Sequence, residues 1–193
     1  MATQKPKNIF DQIAQNRGEQ DRSMRWYQDK MRDMAASVTP NKLLKIQNQL
    51  TTKIQVGSLY MYIYDPKLKE TLPYYDTFPL VFPFKKVPGG FYGINLHYLP
   101  YGLRFQLLQR LFDLATDNTI TDSTRLVMSW KVLSASSKFA AVTPCVKHYL
   151  DDHVMSRFLL IPPKDWATAV MLPVERFVGA TKTKVWRDSR GMI

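Results

Sequence analysis

The chain has 193 residues, 45% of them hydrophobic, enough for one domain with a real core and appendages. Its 27 Lys and Arg stand against 16 Asp and Glu, and the net charge of +11 points to a polyanion or an acidic protein surface as partner. The single cysteine excludes an internal disulfide, no apolar run approaches the roughly 20 residues of a membrane span, and the opening MATQKPKNIF lacks the apolar centre of a signal peptide.

Residues 1–18 are polar, and Gly18 interrupts any helix begun by Ile9, Phe10 and Ile13. Met24, Tyr27, Met31 and Met34 then recur at three- and four-residue steps, which predicts an amphipathic helix over Glu19 to Ala36 with Arg22, Arg25, Asp29 and Arg32 on its polar side. Thr39-Pro40 is a cap followed by proline at the first helical position, so a short helix is expected to about Leu50. Residues 51–56 are read as a first strand or a lead-in to the sheet.

The stretch from Gly57 to Leu111 organises the rest. Leu59, Met61 and Ile63 alternate with Tyr60, Tyr62 and Tyr64, the period of a strand. Phe78 to Phe84 is a second strand, placed at an edge or a bend because Pro79 and Pro83 cannot donate to a ladder. Pro88-Gly89-Gly90 turns the chain into a third, Phe91 to Leu99. Pro100 opens a helix over 101–116 whose Leu103, Leu107, Leu111 and Leu114 fall on one face and cover the sheet.

Further on, Leu126, Trp130, Leu133 and Phe139 mark another helix, and Thr143-Pro144 repeats the cap-then-proline signal, which predicts a further helix with Val146, Tyr149 and Leu150 inside it. Arg157 to Ile161 reads as a strand returning to the sheet, 163–169 as a helical turn, and Val170 to Leu172 as a short strand. Beyond Val178 the sequence GATKTKVWRDSRGMI has too few apolar residues for a core and reads as an extended tail. The fold class is therefore α+β: a small curled antiparallel sheet, for which an SH3-like partial barrel is one arrangement, packed with several helices. An amphipathic N-terminal helix precedes it and an extended basic C-terminal tail follows. The division is an N-terminal helical arm over 1–56, a core domain over 57–178 and the tail over 179–193.

Reactive groups are sparse. Cys145 and His148, spaced as ligands one helical turn apart, lack the two further ligands of a closed zinc site, even with His153 nearby. His97 is read as a hydrogen-bonded structural residue, on the side of its run opposite Ile94, Leu96 and Tyr98. Gly89, Gly90 and Gly93 are turn and bulge residues and match no phosphate-loop pattern. Asp151-Asp152 has no companion carboxylates at the spacing of a magnesium site. No enzyme, cofactor or metal is expected.

Basic residues interleaved with aromatics are the stronger lead. Of the eleven cations after residue 118, five stand in the last eighteen positions (Arg176, Lys182, Lys184, Arg187 and Arg190) against Asp188 alone. With Trp186 they supply phosphate contacts and one ring able to stack on an unpaired base. Lys85-Lys86, at the hairpin turn, supplies a second contact. No helix-turn-helix, zinc-finger or RRM signature is present, so binding is expected to be sequence-independent and salt-sensitive.

The marks Asp65-Pro66, LPYYD at 72–76, Phe78-Pro79-Leu80, GINLHYLP at 93–100 and Asp165-Trp166 belong to a stretch over roughly 57–187 that resembles the DNA end protector proteins of large contractile-tailed bacteriophages. The resemblance implies a minor, non-enzymatic virion protein that binds the terminus of packaged double-stranded DNA. It also implies a place near the portal and neck of the virion, after assembly in the host cytoplasm, with portal, neck or other virion proteins as partners and no membrane. The competing class is a structural adaptor of the neck, tail or baseplate whose positive charge meets acidic subunits.

Overall fold

The computed structural model describes residues 38–116 and 142–191, together with Phe10, Asp29, Met31, 131–133 and Ala135. The helices expected over 19–36 and around Leu126, Trp130 and Phe139 lie for the most part outside the described residues.

Thr39 caps α1 (Pro40–Leu43), its hydroxyl accepting from the Lys42 N–H at 3.3 Å, and a single 3-10 turn over Gln47–Gln49 leads into β1 (Leu50–Thr51). Then come β2 (Leu59–Met61), β3 (Tyr75–Asp76), β4 (Leu80–Val87), β5 (Gly90–Asn95) and α2 (Tyr101–Thr116). The second half holds β6 (Val146–Leu150), β7 (Phe158–Ile161), α3 (Trp166–Ala169), β8 (Phe177–Val178) and α4 (Lys182–Gly191). Six strands form one antiparallel sheet in the order β1-β7-β2-β4-β5-β6, open at both ends, and β3 pairs with β8 beside it. The sheet is no closed barrel. The three strands expected to be neighbours are adjacent as β2, β4 and β5.

Both faces of this sheet are apolar, and that is why β2 is fully buried. Leu59 and Met61 join Leu80, Phe82, Ile94, Leu159 and Ile161 in the main core with Leu107, Leu108 and Leu111 of α2. The alternate positions, Tyr60, Tyr62 and Tyr64, form a second cluster with Val81, Phe91, Tyr149 and Phe158. Tyr62 lies at its centre, its ring 4.9 Å from Phe158 and 5.6 Å from Tyr149 in edge-to-face contact. The outer tyrosines turn their hydroxyls to the chain: Tyr60 accepts from the Gln55 N–H and Tyr64 from the Leu150 N–H. The main core also takes in Phe10, Met31, Val38 and Leu43 from before the sheet and Val185 from α4.

Several expectations are corrected. Of the two placements expected for the second strand the edge is wrong and the bend is found: β4 is interior, between β2 and β5, because Pro79 precedes the strand and Pro83 sits at a bulge past the two β2 pairs, where its carbonyl takes the Gly57 N–H. Phe91 to Leu99 is a strand only to Asn95, after which Leu96–Tyr98 tightens into a 3-10 turn capped by the Asn95 side chain. Thr143-Pro144 opens a single 3-10 turn, and Val146 to Leu150 is strand because it pairs along the whole of β5. Val170 to Leu172 is a turn after α3. The basic tail is a helix over Lys182–Gly191, stabilised by packing that the sequence alone does not display.

Candidate nucleic-acid interface

Arg104, on the first turn of α2, is the largest fully buried side chain among the described residues. Its guanidinium donates to the carbonyls of Leu99 (2.7 Å), Val170 (3.0 Å) and His97 (3.2 Å), and to the Glu175 carboxylate at 2.7 Å. A cation without water needs such compensation at every donor. Burial is the largest influence and acts to raise the Glu175 carboxyl, but the Arg104 charge, the nearby His97 and the hydrogen bonds to the carboxylate together hold it below its ordinary value.

Next to this hub, Asp76 Oδ2 lies 2.7 Å from His97 Nδ1, with both side chains shut away from solvent. Asp76 also accepts from the N–H groups of Phe78 and Arg176 and from the Asn95 amide. Burial pushes its carboxyl up, and His97 with these donors brings it to a net position below the usual range. An Asp–His pair resembles a general-base dyad, but catalysis needs substrate within reach of the outer ring nitrogen. Here that nitrogen is enclosed. The pair fixes the 3-10 turn to β3, and the reading of His97 as structural agrees with it.

That turn is the floor on which α4 rests. Gly179, at φ +86°, lets the chain leave β8 where any Cβ would strike the Pro73 carbonyl. Thr181 then caps α4 through its hydroxyl to the Lys184 N–H. Val185 and Ser189 face inward. The half-buried Trp186 donates its indole N–H to the His97 carbonyl at 2.8 Å and meets Tyr101 edge-on at 5.2 Å. Its indole is thus engaged within the chain, and the tail expected to be extended is a helix docked on the domain.

The remaining site candidates divide into two groups. Lys182, Lys184 and Arg187 are exposed on α4, Lys184 paired with Asp188 at 2.7 Å, and Lys182 is 5.7 Å from both the Trp186 and Tyr101 rings. Arg176 is exposed beside the β3–β8 ribbon and donates to the Glu175 carbonyl. The Arg190 side chain lies outside the described residues. Lys85 and Lys86 are exposed at the far end of β4, and Lys86 shares with Lys53 and Arg157 an open groove of about 620 Å³. The hairpin tip and α4 lie beyond opposite ends of β5, roughly 17 Å apart along the strand, so the structure does not join the two groups. Among the described residues no cluster of three potential metal ligands occurs, and no helix is long and apolar enough to cross a membrane. Cys145 is buried in the core while His148 is exposed and stacked on Tyr92, so they do not converge on one site.

The family model described as the phage T4 terminal DNA protecting protein matches residues 5–189. The chain belongs to this family. Its members are phage proteins that protect DNA ends, and the match extends ahead of the stretch over 57–187 on which the sequence resemblance rests. No curated protein and no solved structure matches the chain.

Sequence reasoning missed Arg104 and Glu175, which it left among ordinary charges. The one available signal was the break they make in apolar surroundings: Arg104 between Leu103 and Leu107, Glu175 after MLPV.

Proposed function

We propose that this protein seats on the terminus of packaged double-stranded DNA at the junction of phage head and tail and blocks nucleases sterically, without chemistry of its own. The observation that carries this reading is the family match over 5–189 of a 193-residue chain. The placement of charge supports it. Lys182 and Lys184 occupy the first turn of α4, which holds no acidic residue. Cations there oppose the helix dipole, so helix stability does not explain them, whereas phosphate contact does. Arg176 and Arg187 extend this surface, with Arg190 on the same helix, and Lys85 and Lys86 with the neighbouring groove offer a second contact to the backbone. Trp186 serves as the anchor that presents α4.

The test is protection of a linear duplex from a processive exonuclease by the purified protein, with closed circular duplex as competitor. Protection that circles fail to compete away is expected. Competition by circles as strong as by linear DNA would overturn end recognition and favour a structural adaptor that meets acidic virion subunits. Labelling the protein in intact particles tests the head–tail location.

A further inference from the structure

We propose that an aromatic pocket beside β6 receives an unpaired base from the DNA end, an inference that rests on the end-binding function above. The pocket encloses about 290 Å³, and its lining includes Tyr74, Tyr75, Tyr98 and Lys147. Leu68 and Leu72 also line it and are 63% and 42% exposed, two of the four large hydrophobic side chains most open to solvent among the described residues. Flat apolar walls with an exposed aliphatic border suit a ligand with a π-face.

Lys147 supplies the second argument. It is half-buried on an edge strand with its ammonium 4.1 Å from the centroid of Tyr98, and it has no carboxylate partner among the described residues. A desolvated ammonium held only by a ring retains donors for a ligand. Base carbonyl and ring-nitrogen acceptors, or the adjoining phosphate, match those donors. Lys67 also lines the pocket, and Lys184 of α4 stands 6.0 Å from the Tyr74 ring, so the proposed phosphate surface adjoins the pocket.

The arrangement also separates ends from interior duplex. An internal base leaves the stack only by losing pairing and two stacking partners, while a terminal base loses one and frays readily. Asp76 and Asn95 lie in the lining too, but they are tied to each other and to the His97 turn. The base is therefore gripped by its faces rather than read by its edge, which gives end preference without sequence preference.

The experiment compares, with the full-length protein, three linear duplexes: blunt, with one unpaired 3′ nucleotide, and with an abasic residue at that position. The base-bearing overhang should bind roughly 10- to 100-fold more tightly than the abasic one, nearly equally for all four bases. Tyr74→Ala and Lys147→Met should erase that difference. Leu72→Asp, on the exposed border where folding is not at risk, should reduce it by itself. Equal binding of base and abasic ends by the unaltered protein would overturn the pocket, as would a difference that persists in Lys147→Met and Leu72→Asp. Loss of all preference for linear over circular duplex would instead overturn the end-binding reading.

Discussion

Trp186 and His97 stand 89 residues apart in the chain and are joined by one hydrogen bond, from the indole N–H to the His97 carbonyl at 2.8 Å. Arg104 donates to the same carbonyl at 3.2 Å, with its guanidinium carbon 5.6 Å from the indole centroid and 4.6 Å from that of Tyr101. The carbonyl of a buried turn thus fastens the C-terminal helix and the central helix together. The charged face of α4 has a fixed orientation because of it.

Trp186→Ala should therefore loosen the C terminus and cost about 2 kcal/mol, less than a fully buried tryptophan because the ring is only half-buried. Trp186→Phe keeps the ring against Tyr101 and loses the donor, at about 1 kcal/mol. Urea unfolding measures both. Limited proteolysis after residue 178 should be faster in the Ala variant, and unchanged proteolysis would mean that the indole does not hold α4.

Asp76 and Glu175 give the fold a dependence on acid. Both carboxyls are held in the folded state below their ordinary values of 3.8 and 4.5, burial being outweighed by the partner charges and hydrogen bonds together, with His97 foremost for Asp76 and Arg104 for Glu175. A depressed carboxylate stabilises the fold above its unfolded value and loses that contribution as pH falls through the folded one. Stability contributed by these groups should thus hold from neutrality to about pH 5 and decline below about 4. Asp76→Asn should cost roughly 3 kcal/mol at neutral pH, since it leaves a buried network incomplete, and should flatten the acid decline. Chemical unfolding at a series of pH values checks both.

The sheet was legible because its signals are local. Tyr60 to Tyr64 alternate, Gly89 takes the positive φ of the expected turn, and α2 begins at Tyr101 as Pro100 indicates. Even there the alternation was incomplete as a guide, since it separates two cores rather than core from solvent. What failed is what tertiary pairing decides. Val146 to Leu150 carries an apolar pattern compatible with either period and becomes strand because β5 offers an edge. The tail looked coreless because Val185 and Trp186 dock on residues far away in sequence, Trp186 on the His97 turn. The Arg104–Glu175 ion pair spans 71 positions and leaves no short-range trace.

Cys145 offers a simple probe of the core. It is fully buried, and burial pushes its thiol up to about 12, with Lys147 and Arg104 only partly offsetting that. The nucleophile is the thiolate, so alkylation at neutral pH should be slow in the folded protein and should rise to the rate of a free thiol in denaturant. Rapid labelling under native conditions would show that the 3-10 turn before β6 opens readily.

The sharpest test of the proposed phosphate surface is a salt series on α4 that leaves its anchor intact. Stopping the chain at Val178 would remove Val185 and Trp186 along with the charges, so a loss of binding would have two causes. Replacing Lys182, Lys184 and Arg187 by Ala avoids this. All three are exposed, Ala is the best helix former, and removing cations from the first turn relieves the unfavourable dipole interaction. The Lys184–Asp188 ion pair is lost, an exposed i,i+4 contact worth less than about 1 kcal/mol. Each phosphate neutralised contributes a slope of about 0.9 in log K against log salt, so the triple variant should bind duplex ends with a slope smaller by roughly 2–3. Lys85→Ala with Lys86→Ala, in the same assay, should lower the slope by a further 1–2 or so if the hairpin touches the backbone as well. Parallel lines for the triple variant and the unaltered protein would remove α4 from the DNA and assign its outward charge to a neighbouring virion subunit.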